Sequence, residues 1–240
     1  MLETKLAVVT GATSGIGAAL SRRLIAEGAT VIGVGRRRDA LAAEVAHGDG
    51  RFIAVCADLA DAEGRTGAIA EICERAPRID ILINNAGETA YATPCELGAA
   101  AWRALFEINL HAATELAIEL APRLTGGHLI NVSSVTTRFV PNARFAVYAA
   151  TKAALDRVTE ALRLELDPLG VHVTSIAPGL VDTPIYDKVP AFADTRDKIA
   201  RALPHWLSAG DIADTILWVV TRPAHIVIAE LVVLPAGQGR

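Results

Sequence analysis

At 240 residues the chain is long enough for one large α/β domain with a sizeable core. Hydrophobic residues make up 52% but aromatics only 5%, so small and aliphatic side chains are expected to build that core, as in parallel sheets covered by helices. A net charge of −4 argues against a nucleic-acid partner. Three scattered cysteines without C-x-x-C spacing argue against a zinc ribbon or a disulfide framework. The start lacks a leader pattern and no apolar run approaches about 18 residues, which predicts a soluble cytoplasmic protein with no membrane contact.

Leu6 to Val9 reads as a strand, followed at once by Thr10-Gly11-Ala12-Thr13-Ser14-Gly15-Ile16-Gly17 and an amphipathic helix to about Glu27. Strand, glycine-rich turn and helix form the context in which a glycine pattern becomes a phosphate site. Gly11 allows the tight turn, Gly15 lets backbone approach a pyrophosphate, and Gly17 permits close helix–strand packing. The helix N-terminus offers free N–H groups and a partial positive charge. The alternative is a plain turn between strand and helix.

Thr30 to Val34 is a second strand, ending in Gly35-Arg36-Arg37-Arg38. A nicotinamide site without a 2′-phosphate usually has Asp or Glu at this strand end. Gly35 stands there instead, and a guanidinium at Arg36, with Arg37 beside it, suits a 2′-phosphate, so NADP is expected over NAD. The alternative is a solvated turn, the reading expected for Arg38. Phe52 to Ala57 is a third strand, running into Asp58-Leu59. Asp58 either meets an adenine edge or caps the helix that starts near Asp61.

Ile79 to Ile83 is a fourth strand, leading into Asn84-Asn85-Ala86-Gly87, a turn suited to backbone contact with a ligand. Gly98 to Leu124 reads as one long helix interrupted by Asn109, a poor helix former that either faces solvent or holds a water beside Lys152. His128 to Val132 is a fifth strand, with Ser133 and Ser134 at its end. A loop carrying Pro141 and Asn142 leads to a helix from about Val147 to Leu166.

Val171 to Ile176 is a sixth strand, stopped by Pro178 and Gly179, with Val181 and Thr183 following. Thr183 is placed to bond a carboxamide. Pro184 to about Leu207 reads as an irregular substrate lid; loose packing against the sheet is the alternative. A helix from Asp211 to about Val220 and a seventh strand, Leu231 to Leu234, precede a GQGR tail. This alternation predicts a single domain over 1–240: a Rossmann-like, doubly wound parallel sheet with helices on both faces. Ligands in such sheets bind at the carboxyl ends of the strands.

Tyr148 and Lys152 stand four apart near the start of a helix, so phenol and ammonium project from one face. A tyrosine ordinarily titrates near about 10. A fixed cation nearby favours the phenolate and would fit it to trade a proton with a substrate oxygen. Ser134 is placed to donate to that same oxygen. The alternative is that the pair is only a surface pattern on a helix; the segments converging at the strand ends favour chemistry.

Together, T-G-A-T-S-G-I-G at Thr10 to Gly17, N-N-A-G at Asn84 to Gly87, Asn109, Ser134, Y-x-x-x-K at Tyr148 to Lys152 and P-G from Pro178 resemble the short-chain dehydrogenase/reductase family across the whole chain. The resemblance implies hydride transfer between a nicotinamide and a carbonyl or alcohol carbon. Tyr148 would be the acid/base, Lys152 would lower its pKa and hold the nicotinamide ribose, Ser134 would orient the substrate, and Asn109 would hold a water in a proton relay. The nucleotide set is then Gly11, Thr13, Ser14, Gly15, Ile16, Gly17, Arg36, Arg37, Asp58, Leu59, Asn85, Ala86, Gly87, Tyr148, Lys152, Pro178, Gly179, Val181 and Thr183, with no metal. Family members are commonly dimers or tetramers built through the helices that here carry Asn109 and Tyr148.

Val220 to His225 and Glu230 to Pro235 resemble a subgroup of NADP-dependent reductases acting on hydroxy acids, β-hydroxy amino acids and assorted ketones or aldehydes. The glycine-rich D-G-G ending of other members is absent. Between Ser134 and Tyr148 the family usually has one residue fewer, so the loop 136–147 carries an insertion; a register shift would instead hand the serine role to Ser133 or Thr136. A non-catalytic NADP-binding regulator and an NAD-dependent alcohol dehydrogenase of the same family remain the alternative functions.

Overall fold

The computed structural model describes residues 2–187 and 189–238. Position 188 of the expected lid and the last two residues of the GQGR tail lie outside that range. The first half alternates strictly: β1 (Leu6–Thr10), α1 (Gly15–Ala26), β2 (Thr30–Gly35), α2 (Arg38–His47), β3 (Phe52–Cys56), α3 (Ala62–Arg75) and β4 (Ile81–Asn84). A short α4 (Pro94–Leu97) precedes α5 (Ala99–Phe106) and α6 (Ala112–Leu120). Then come β5 (His128–Val132), α7 (Ala146–Leu166), β6 (His172–Pro178), β7 (Val181–Asp182), α8 (Ala193–Ala202), β8 (Leu207–Ser208), α9 (Ala209–Val220) and β9 (Glu230–Val233).

Seven strands form one sheet in the order β3-β2-β1-β4-β5-β6-β9, with every pairing parallel. The order reverses between β1 and β4, which opens a crevice at their carboxyl ends. The expected doubly wound architecture is therefore present. The strands are near-continuous apolar runs because both faces are covered. Ala7 and Val9 of β1 face a core with Leu20 and Leu24 of α1 and with Ile212 and Ile216 of α9. Val8, Ile32 and Leu82 face the other core, with Ile72 of α3, Leu116 and Leu120 of α6, and Leu162 of α7.

Three sequence expectations are corrected. The long helix does not run unbroken: a π-helical turn, Glu107–His111, joins α5 to α6 and carries Asn109, and such wider turns re-aim a side chain within a helix. The segment 184–207 is not wholly irregular, since it contains the ten-residue α8 and ends in β8, which pairs with β7. Asp58 does not cap α3. That helix is capped by Asp61, whose carboxylate accepts from the Gly64 N–H at 2.8 Å, while Asp58 closes its own short turn by accepting from the Ala60 N–H at 3.0 Å.

Candidate active site

A cleft of about 1070 Å³ lies over the carboxyl ends of β1, β2, β4, β5 and β6. Its nucleotide end begins at the turn after β1. Gly11 (φ +67°) and Gly15 (φ +52°) take left-handed backbone there, which glycine adopts without strain. A Cβ on Gly17 would overlap the Gly11 carbonyl oxygen and lie 2.6 Å from Asn85 Nδ2. Gly17 therefore lets α1 approach the turn and does not itself line the cleft. Ser14 precedes α1 without a side-chain cap, and no acidic residue occupies the first turn. The donors of the helix N-terminus are thus left to an anion.

The turn after β4 is locked to the turn after β1. The Thr10 hydroxyl accepts from the Asn85 and Ala86 N–H groups, both at 2.9 Å, and Asn85 Nδ2 donates to the Thr10 carbonyl at 2.9 Å. Thr10 opens the T-G-A-T-S-G-I-G motif, but the sequence reading assigns it no role of its own. Asn84 points away, buried, donating to Asn131 and to the Ala113 carbonyl.

Gly11, Thr13, Ser14, Gly15, Ile16, Arg36, Arg37, Leu59, Asn85, Ala86, Gly87, Tyr148, Lys152, Pro178, Gly179, Val181 and Thr183 all line this cleft. Gly17, Asp58 and Asn109 do not line it. The buried hydroxyls of Thr89 and Ser133 lie in the lining without a partner, which leaves donors for a ligand. Glycine cradle, open helix end and unpartnered hydroxyls fit a nicotinamide dinucleotide.

Arg36 is not free in its turn. Its Nη2 lies 2.6 Å from Glu88 Oε1 and its Nη1 lies 3.7 Å from Asp58 Oδ2, so the guanidinium is spanned between two carboxylates. Arg37 reaches the Thr13 carbonyl at 3.4 Å.

At the centre of the cleft, α7 presents Tyr148 and Lys152 on one face. Tyr148 is half-buried, and its phenol feels the neighbouring Ser134 side chain. Ser134 Oγ also accepts from Thr136 N and Thr136 Oγ1, at 3.2 and 3.0 Å, which leaves its own proton for donation. Of Ser133, Ser134 and Thr136, Ser134 is the side chain that bears on the phenol.

Lys152 is 4% exposed, and its Nζ donates to the Val132 carbonyl at 2.8 Å. The electrostatics differ from the sequence expectation. Burial pushes the Tyr148 phenol above its ordinary value, with the Ser134 hydrogen bond working the other way. The lysine is the group pushed down, to about 8, by burial; the carboxylate of Asp156 opposes this. Desolvation penalises each charged form when no ligand charge lies beside it. Asp156, one turn beyond Lys152 on the same helix face, accepts from Ser175 Oγ at 2.8 Å. The same i, i+4 spacing that drew attention to Lys152 points to it, yet it escaped the sequence reading.

Asn109 braces the site from behind. Its Oδ1 accepts from the Glu88 N–H and its Nδ2 donates to the Glu88 carbonyl, both at 2.9 Å. Nδ2 also donates to Thr151 Oγ1 on α7 at 3.0 Å. The amide thus ties the segment after β4 to the helix of Tyr148.

The far end of the cleft is walled by side chains from separate segments. Phe145 precedes α7, while Tyr186 and Phe192 come from the stretch before α8. Phe192 packs against Phe145 at 5.5 Å and Tyr186 at 5.0 Å between ring centroids, and Tyr91 closes the cluster behind them. Among the described residues no cluster of three metal-ligating side chains is gathered, and no helix is long and apolar enough to cross a membrane.

Comparison with known proteins supports this reading. The family described as short chain dehydrogenase matches residues 5–193. A serine 3-dehydrogenase of Rhizobium radiobacter is 35% identical over 235 residues, covering 96% of this chain and 94% of its own. A short chain dehydrogenase from Burkholderia cenocepacia in complex with NADP superposes with a TM-score of 0.88 at 31% identity, covering 98% of both chains. The closed form of a serine dehydrogenase complexed with NADP+ superposes with a TM-score of 0.87 at 30% identity, covering 98% of this chain and 96% of its own. With fold, cleft and motifs in agreement, this chain belongs to the short-chain dehydrogenase/reductase family of oxidoreductases.

Proposed function

We propose that the chain is an NADP(H)-dependent oxidoreductase interconverting a carbonyl compound and its alcohol, with Tyr148 as general acid/base. The observation that carries this reading is the gathering of Tyr148, Ser134 and Lys152 in one cleft, between the glycine cradle and the aromatic wall. When bound, the nicotinamide dinucleotide supplies or takes up the hydride. Tyr148 holds the proton exchanged with the substrate oxygen. Ser134, its lone pairs occupied by Thr136, donates to that same oxygen. Lys152, one helix turn beyond Tyr148, is read as the cation that favours the phenolate and as the residue expected to hold the nicotinamide ribose. Arg36, Arg37, Thr13 and Ser14 would serve the phosphates, and Thr183 the carboxamide. The segment 184–207 acts as the lid. The NADP complexes of two structural relatives support the choice of nucleotide.

Purified protein is expected to oxidise NADPH with a carbonyl substrate, read as loss of nicotinamide absorbance. Failure across a broad carbonyl and alcohol panel would favour a nucleotide-binding regulator. The pairing of Arg36 with Glu88 and Asp58 gives specific weight to a second reading, in which NAD is the working nucleotide. Arg36→Ala separates the two: it should weaken NADPH binding much more than NADH binding, and equal losses would remove the case for a 2′-phosphate.

A further inference from the structure

The wall beyond Tyr148 is largely apolar. Phe145, Ile185, Tyr186, Phe192 and Leu203 line it. Phe192 is only 1% exposed and packs against Phe145 and Tyr186. At the rim, in the inserted loop, Phe139 also lines the cleft and stays 42% exposed. It is a large apolar side chain held in water, ready to be covered by an apolar ligand. Among the described residues lining the cleft on this side of Tyr148, the charged side chain is the carboxylate of Asp187, held by Arg196 at 3.0 Å.

We infer that the substrate is a neutral carbonyl compound, or its alcohol, carrying an aryl or bulky branched group, and not a hydroxy acid or hydroxy amino acid. The inference rests on the oxidoreductase reading above and names its substrate class. Aromatic rings take an aryl group by edge and face contact. A carboxylate entering the same space would lose its hydration against apolar walls. In the reducing direction the carbonyl carbon gains a hydride and its oxygen a proton from Tyr148, while the dinucleotide is oxidised. No charge on the substrate is required.

Three matched α-keto compounds test this: methyl benzoylformate (neutral, aryl), benzoylformate (anionic, aryl) and methyl pyruvate (neutral, small). With NADPH, kcat/KM for the aryl ester should exceed each of the others by at least tenfold. Equal or faster turnover of benzoylformate, or faster oxidation of L-serine with NADP+, overturns the inference and leaves the oxidoreductase reading intact. Calorimetric titration of the three compounds into the NADP+-loaded protein gives a second readout. If no compound turns over but the aryl ester binds at least tenfold tighter than the anion, the catalytic reading fails and the pocket assignment stands. If the aryl ester neither turns over nor binds more tightly, the pocket assignment fails. Phe139→Asp changes an exposed position and should lower kcat/KM for the aryl ester at least tenfold; an unchanged value removes the rim from the pocket.

Discussion

The two ends of the cleft are built differently. The nucleotide end is made of backbone: glycines in left-handed turns, an open helix end, and two strand-end turns tied together through Thr10. Each part comes from a few consecutive residues. The substrate end is made of side chains, with Phe145, Tyr186 and Phe192 contributed by separate segments and meeting only in the folded molecule. Backbone built from short turns tolerates almost no change, since an added methyl group meets another part of the chain. A wall of loop side chains can be re-cut residue by residue. The same family fold can thus keep its nucleotide and vary its substrate.

Substitutions that respect or violate this division test it, beginning with the largest effect. Tyr148 sits on the seam, and Tyr148→Phe should lower turnover by about 10³-fold or more while leaving nucleotide affinity within a few-fold; steady-state kinetics and nucleotide fluorescence titration read the two. Normal turnover in that variant would leave the site without its acid. At the nucleotide end, Gly17→Ala pushes a methyl group into the Gly11 carbonyl and the Asn85 amide. It should cost about 2–4 kcal/mol of stability and most nucleotide affinity, as measured by denaturant unfolding and binding titration.

A third test strikes the scaffold and neither end. His128 and His172 face each other edge-on at the opposite rim of the sheet, with ring centroids 5.0 Å apart. Burial, then the neighbouring His172, then Lys5, pushes His128 from 6.5 down to about 4. The unfolded chain therefore takes up this proton as pH falls below 6.5 and the folded chain resists it until about 4. Stability contributed by the neutral ring is present above 6.5 and is lost across that window, on the order of 2–3 kcal/mol. His128→Leu should flatten the acid limb of stability against pH, followed by chemical unfolding.

Lys152 shows a cost at the proposed catalytic centre. Because its folded-state pKa is about 8 against an ordinary 10.5, the unfolded chain holds the proton more tightly between those values, and stability rises with pH across them. At pH 7 the buried ammonium is a burden, and Lys152→Met should raise stability by about 1–2 kcal/mol while abolishing turnover. The smallest effect belongs to the exposed rim: Phe139→Ala should alter stability by less than about 0.5 kcal/mol. A large loss there would mean that the substrate wall is as much scaffold as the nucleotide turn.

What was legible in the residues follows the same division. The alternation of apolar runs and helical stretches determined the sheet, because a parallel strand buried on both faces must be apolar throughout. The glycine turn, Asn85 to Gly87 and the Tyr148–Lys152 pair were likewise legible, since each is a spacing within one turn or one helix face. The π-helical turn at Asn109, the capture of Arg36 by Glu88 and Asp58, the upward push on Tyr148 and the aromatic wall were decided by tertiary structure alone. Each depends on which distant side chains and how little water surround a group, and no local periodicity encodes the packing that brings residues dozens of positions apart into contact.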